Sequence, residues 1–551
     1  MRTFFSSLTM IGMLAAPLPL VAQDVDTQAS DGGERSERSP RRALEVRPYI
    51  EAAQVVSAEL TPGDDVVTYT QLASGVDAGF GGRNSSGSVS LRYERRIGYG
   101  DANDVDTISG IARASLALVP QALSFEIGGL ASRTRIDGNG AASVGAFGNQ
   151  DEATSQIYSV FGGPSFQTRQ GPVELSGSYQ AGYSRVESPD ALVLAPGEDP
   201  VDIFDDSIVQ NANVRAGIAP RTVLPVGLGV GAGWNRQDVG NLDQRVDNKY
   251  VRGDVTVPVS RTVALVGGVG YEDVTVSSRD AILDDAGNAV LGSDGRFLTD
   301  TSQPREIAFE TDGLIWDVGV MWRPSNRTSL SATVGRRYGS TTYYGNLSYA
   351  PNPRTSVNVG VYDNLTTLGG QLSSNLGGLG TNFQAFRNPI SGDLNGCVAS
   401  DEGGNCALAG IGSLRSAVFR NRGVTGSVSR NLGRTTLGVG LGYDRRSYIA
   451  AAGTVLADID GLTEENYWVS AYGNRQLDRR SGINFGATAT WFESGLDNTG
   501  DGFGYSANMS YYREIIDGLS GTAAVGLDGI SRDEVDNFAI ISALLGLRYT
   551  F

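Results

Sequence analysis

Between Asn537 and Phe551 the large apolar side chains Ile541, Leu545, Leu547, Tyr549 and Phe551 fall on one face at a two-residue period. That period belongs to a β-strand, whose successive side chains point to opposite faces, and no helix reproduces it. The same alternation recurs upstream. In Leu224 to Asn235, Leu224, Val226, Leu228, Val230, Ala232 and Trp234 share a face opposite Gly227, Gly229, Gly231 and Gly233. In Gly502 to Tyr512, Phe503, Tyr505, Ala507 and Met509 oppose Gly504, Ser506, Asn508 and Ser510. A soluble sandwich also alternates, so the pattern needs support from elsewhere in the chain.

That support comes from the chain's ends and its composition. Met1-Arg2-Thr3, the apolar stretch Phe4 to Leu20 and the small Ala22 before Gln23-Asp24 predict a secretory signal at 1–22. Ser6, Ser7, Thr9, Pro17 and Pro19 make the same stretch a poor membrane-spanning helix. Only 40% of the 551 residues are hydrophobic. A membrane protein stays this polar when alternate residues face lipid and the others face a wet lumen. The expected fold is therefore all-β: a transmembrane antiparallel up-and-down β-barrel of about 22 strands, with a range of roughly 16 to 24, closed by the C-terminal strand. The outward aromatics Tyr549 and Phe551 then read as the signal for the barrel-assembly machinery, and the location is the bacterial outer membrane.

The connections carry sidedness. Short ones include Pro120-Gln121, Arg169 to Pro172, Pro220-Arg221-Thr222, Ser260-Arg261-Thr262, Asn326-Arg327-Thr328, Pro353-Arg354-Thr355, Gly433-Arg434-Thr435 and Asp478 to Ser481, and five of them share an Arg-Thr pair. Between them lie Gly138 to Ala153, Pro189 to Ile203, Ala281 to Pro304, Thr367 to Leu414, Ala450 to Leu462 and Ser494 to Gly502. Short periplasmic turns and long outer loops are the bacterial barrel pattern. Residues 23–44 read as a disordered periplasmic lead-in, too short for a plug domain, with the barrel at 45–551. The lumen must then be narrowed by its own loops. Thr367 to Leu414 is the candidate for an inward-folded constriction or a surface lid.

Scarcity limits the chemistry. There is no histidine, which excludes Ser-His-Asp hydrolysis and His-ligated metal sites, so no enzyme, cofactor or metal centre is expected. The Asp/Gly clusters Leu283 to Asn288 and Gly292 to Arg296 lack EF-hand spacing and read as turns. A net charge of −17 argues against a nucleic-acid partner. Cys397 and Cys406 are the only cysteines and bracket a short polar segment, as a loop disulfide in an oxidising compartment would.

Three Arg pairs stand near the outer ends of ascending strands: Arg95-Arg96, Arg336-Arg337 and Arg445-Arg446. Alternation puts Arg95, Arg336 and Arg445 on the lipid face, where they would meet lipopolysaccharide phosphates. It puts Arg96, Arg337 and Arg446 on the lumen face as pore-lining candidates attractive to anionic sugars, with Glu94 and Asp444 as neighbours. The plainer reading is that all six mark strand exits or pair with Glu94 and Asp444.

Trp322-Arg323-Pro324-Ser325-Asn326-Arg327-Thr328, then Gly335 to Gly339, Leu347 to Pro351 and Arg354-Thr355, resemble the outer-membrane barrels associated with exopolysaccharide and exosortase systems. Tyr362 to Thr367 and Leu547 to Phe551 fit that pattern too, so the resemblance covers roughly Trp322 to Phe551. It implies passage or export of polysaccharide, polysaccharide export components as partners, and no catalytic residues. The resulting expectation is a passive pore for polysaccharide or small polar solutes. The alternative is a structural or adhesive barrel with binding loops and a closed lumen.

Overall fold

The computed structural model of the protein describes residues 44–551 apart from 64, 101–103, 137–140, 144–153, 188–202, 401–402, 496–500 and 533–534. The predicted signal segment and the lead-in before Leu44 lie outside the described residues, as do most of the loops Gly138 to Ala153 and Pro189 to Ile203. Among the described residues the main sheet has 24 strands, two of them stubs of two or three residues, leaving 22 that form the wall.

The first seven wall strands are β1 Glu45–Thr61, β2 Val66–Gly81, β3 Ser85–Tyr99, β4 Val105–Val119, β5 Leu123–Ile136, β6 Thr154–Gln170 and β7 Val173–Glu187. The next seven are β8 Asp206–Ile218, β9 Gly227–Val239, β10 Gln244–Pro258, β11 Val263–Ser278, β12 Glu306–Ser325, β13 Thr328–Arg337 and β14 Ser340–Asn352. The last eight are β15 Thr355–Thr366, β16 Val418–Asn431, β17 Thr435–Ile449, β18 Thr463–Gln476, β19 Ser481–Glu493, β20 Gly502–Ile516, β21 Leu519–Arg532 and β22 Val535–Thr550. Each pairs antiparallel with the next. β22 returns to β1, from Tyr49 opposite Thr550 to Thr61 opposite Ala539, and closes the ring.

Closure leaves no sheet edge, and the outer surface is apolar. Leu228, Val230, Val251, Val269, Val318, Leu441, Val525, Leu545 and Leu547 all stand exposed. A band of this kind surrounded by backbone that is wholly paired is stable in hydrocarbon, not in water. Exposed Trp322, Tyr349, Tyr511, Tyr549 and Phe551 flank the band near one rim, and Tyr93, Tyr183, Tyr467 and Trp491 lie toward the other. Those two girdles mark the membrane interfaces. The molecule is an outer-membrane β-barrel, with Tyr549 and Phe551 packed edge to face on its lipid side at 4.9 Å.

Both described chain ends sit at the rim that carries the short turns. The long connections, including 279–305, 367–417 and 450–462, all leave the opposite, outer rim. One expectation needs correction: Leu224 and Val226 belong to the turn before β9, which begins at Gly227. Pro220 and Pro225 remove backbone donors there, so the ladder cannot extend further down.

Candidate functional site: an inserted loop and a periplasmic vestibule

The connection 367–417 turns inward and runs the depth of the barrel. It starts as α1, Leu368–Gly377, with the Thr367 hydroxyl accepting the Gly370 N–H at 3.2 Å as an N-cap. Leu368, Leu372 and Leu376, one helical turn apart, bury against wall residues Ile157, Phe161 and Val186. The chain then descends. Thr381 Oγ1 lies 2.7 Å from Ser86 Oγ and the Phe383 N–H donates to Ser88 Oγ at 3.0 Å, both at the periplasmic end of β3. Three short strands follow, Phe383–Arg387, Leu394–Ser400 and Gly403–Asn405. Ser427 near the foot of β16 donates to Gly404 O at 2.7 Å.

Cys397 and Cys406 are bonded to each other within this insert. They pack with Phe386 against Trp468 and Tyr472 of β18. Room for them comes from the wall: a Cβ on Gly440 would stand 2.6 Å from Cys406 Cβ, closer than side chains tolerate.

Arginines fasten the insert to the wall. Arg96 donates to Ser391 O at 3.2 Å, and Arg113 donates to Gly377 O and Leu379 O at 3.1 and 3.3 Å. The latter places a cation at the C-terminal end of α1, where it opposes the helix dipole. Arg446 donates to Ser413 O at 2.7 Å, to Ile411 O, and to Gln371 Oε1 at 2.6 Å. Arg133 pairs with Asp393 of the insert at 3.1 Å, and Arg387 of the insert donates to Ser90 O and Ser109 Oγ on the wall. Glu94 holds Arg92 and Arg96, each at 3.0 Å, and Arg415 pairs with Glu464 at 3.1 Å.

This corrects the pore-lining assignment. Arg96, Arg446, Glu94 and Asp444 face the lumen, but all four are buried. The first three lie under the insert's backbone, and Asp444 accepts the hydroxyl proton of Tyr362. Alternation fixes the face a residue occupies; it is blind to a loop that arrives from elsewhere to cover it. Arg337 remains only partly covered. Arg95, Arg336 and Arg445 stand on the outer surface: Arg95 pairs with Asp104 and Asp106, Arg445 with Glu465, and Arg336 lies opposite Trp316.

The other side of the lumen, β8 to β14, is not packed by the insert in its periplasmic half. Asn211, Asn213, Tyr250, Arg252, Asp254, Asp317, Thr333 and Asn346 keep partial exposure. A hydrated vestibule therefore opens toward the periplasm. At its outer end it meets Val246, Val274, Val276, Tyr338, Leu365 and Val418, a fully packed apolar cluster. Leu242, Ala281, Ala450 and Leu456 pack in a second cluster among the outer loops.

The vestibule wall has its own construction rule. Arg215 on β8 reaches over Gly229 of β9 to Asp254 of β10. Arg252 on β10 reaches over Gly268 of β11 to Asp317 of β12 at 2.8 Å. Arg337 on β13 crosses β12 to Glu272 of β11 at 3.0 Å, between the rings of Tyr250 and Tyr338, each 4.9 Å away. A Cβ at Gly229 or Gly268 would collide with the arginine above it. The missing Cβ lets each guanidinium lie flat on the wall. The lumen stays wide, and its charges are neutralised in pairs.

Sequence reasoning missed Arg113, Arg133, Arg215, Arg252 and Arg387. For Arg113, Arg215 and Arg252 the available signal was parity, since each falls on the face opposite an outward Leu116, Val214 or Val251. α1 was hidden by its glycines, although Thr367 and the four-residue leucine spacing mark it.

The sequence matches no family model and no curated relative. Among solved structures it is similar to the ferric-catecholate import receptor Fiu from E. coli K12, at TM-score 0.42 and 9% identity, over 91% of this chain and 81% of that one. The FrpB iron transporter from Neisseria meningitidis gives 0.42 and 10%, over 91% and 82%. The siderophore receptor PirA from Pseudomonas aeruginosa gives 0.37 and 9%, over 93% and 81%. Likeness at this level decides neither family nor function.

Proposed function

We propose that the protein is a gated outer-membrane conduit that passes polysaccharide or a polar solute chain, with the insert 367–417 as its gate. The observation that carries this reading is the asymmetry of the lumen. One side is occupied by an insert held by the apolar packing of α1 and the disulfide hairpin together with hydrogen bonds and ion pairs to wall arginines. The other is a partly exposed polar vestibule whose side chains are laid against the wall. A barrel serving only as a scaffold has no need to keep half its lumen clear. The Tyr250 ring, lying flat over Gly233, adds an aromatic face against which a sugar ring could slide. The resemblance to exopolysaccharide-associated barrels through Trp322 to Phe551 supports the same class of cargo.

A closed structural or adhesive barrel is the second reading, favoured by the packed outer clusters. A lock separates the two. Ser86→Cys with Thr381→Cys would tie the foot of the insert to β3, where the native hydroxyls are 2.7 Å apart. If the insert moves to open a path, the cross-linked protein loses polymer secretion or bilayer conductance while each single variant keeps it. Conductance and secretion absent from the native protein would refute the conduit.

A further inference from the structure

The five Arg-Thr turns are unexplained by hairpin chemistry. Arg221, Arg261, Arg327, Arg354 and Arg434 occupy five consecutive periplasmic turns, those after β8, β10, β12, β14 and β16. All five are exposed, and among the described residues none forms an ion pair. Turns ordinarily recruit Gly, Asn, Asp and Pro; Arg327 donates to Pro351 O at 3.3 Å, but no such contact accounts for arginine five times over in a chain of net charge −17. Arg221 even holds a φ of +67°, where Gly or Asn would sit with less strain.

The arginines occupy one arc of the rim. The turns after β2, β4, β6 and β20 lack the Arg-Thr pair. On that side Arg47 and Arg169 are matched by Glu45 and Glu174. Along the arc the next turn adds Arg479, while Arg480 lies 4.0 Å from Glu514, and the turn's own acid, Asp478, is engaged in the turn itself. The Arg480 N–H and the Ser481 hydroxyl bind its carboxylate and hold it below its ordinary pKa. Successive turns are two strand spacings apart, about 10 Å. That is close to the Debye length of roughly 10 Å at 0.1 M salt, so the fields of neighbouring arginines merge.

We infer that this arc is an electrostatic entry for a polyanionic glycan, a chain bearing uronate or phosphate groups, delivered from the periplasm into the vestibule. The inference rests on the reading of the vestibule as a path and narrows its cargo. The arc starts beneath β8 to β14, the side on which the vestibule opens, where Arg215, Arg252 and Arg337 are each paired with a carboxylate and leave the lining close to neutral for a chain that has passed the rim. A belt for lipid headgroups would run round the whole rim, because lipid surrounds the whole barrel. This arc leaves the turns after β2, β4, β6 and β20 without the pair and has most of its arginines under the vestibule.

The test uses the full chain in nanodiscs of zwitterionic lipid, with a fluorescent oligogalacturonate and a neutral dextran oligomer of equal length as probes. The native protein should bind the uronate and not the dextran, at least tenfold more weakly at 300 mM than at 50 mM NaCl. Replacing Arg221, Arg261, Arg327, Arg354 and Arg434 by Gln should weaken binding at least tenfold. Replacing Arg47, Arg83 and Arg169 by Gln on the other side should leave it unchanged. Equal binding of both probes, an unaffected five-site variant or an equal loss in the three-site control each overturns the inference. So does a five-site variant whose only change is lower enrichment of phosphatidylglycerol, since the arc would then be a headgroup site. A conduit that survives the lock experiment yet passes only neutral polymer would keep the path and discard this cargo.

Discussion

The two sides of the lumen are built from the same residues and end up differently. On the insert side, Arg96, Arg113 and Arg446 are buried and donate to backbone carbonyls of a loop. On the vestibule side, Arg215, Arg252 and Arg337 keep side-chain exposures of 43%, 32% and 23% and pair with carboxylates of the wall itself. Glycine plays opposite parts. Gly440 makes space for Cys406 of the insert, whereas Gly229 and Gly268 let the wall's own arginines lie down. An arginine on the lumen face is thus a clamp where a loop backbone reaches it and a flat lining where a carboxylate two strands away does.

The largest expected effect comes from removing the loop. Replacing residues 372–412 by a short Gly-Ser linker should leave a barrel that still migrates as folded before heating, with conductance raised at least tenfold in planar bilayers, since a ring of this strand number encloses a wide lumen. Unchanged conductance would erase the difference between the two sides.

Arg446→Ala should come next. It removes charged hydrogen bonds to Ser413 and Ile411 and leaves buried carbonyls without donors, a loss of about 2 kcal/mol of local stability. Faster amide exchange and protease cutting within 367–417, with the wall strands still protected, is the expected signature. Replacing Cys397 and Cys406 together by Ser opens a nine-residue link and should loosen the same segment by about 2 to 3 kcal/mol on a chain-entropy basis, again without touching the wall.

Glycine substitutions compare the sides directly. Gly440→Val should displace the disulfide hairpin and expose Trp468 to a fluorescence quencher, whereas Gly231→Ala, whose Cβ would press on the Val214 carbonyl at 3.3 Å, asks for a shift of only a few tenths of an ångström and should have a much smaller effect. The smallest effect belongs to Arg252→Gln with Asp317→Asn. This half-exposed pair contributes under about 1 kcal/mol, so melting should hardly move, while ion selectivity of the loop-deleted channel shifts.

Much of the wall was legible in the sequence. Leu228 to Trp234 and Phe503 to Met509 fall on the lipid face because a strand's period is fixed by backbone geometry. Arg95 against Arg96, and Arg445 against Arg446, take opposite faces for the same reason. The candidate site was far less legible. Arg96 and Arg446 were placed on the correct face and given the wrong surroundings, because Arg96 meets Ser391 across 295 residues of chain.

The sequence by itself determined period, face and sidedness, which depend on neighbours one or two residues away and on the lengths of connections. Only the tertiary structure decided which lumen residues stay wet. That depends on where the 367–417 loop comes to rest, a matter of packing α1 against Ile157, Phe161 and Val186 and of satisfying buried carbonyls with distant arginines. No local pattern in the chain encodes such a contact.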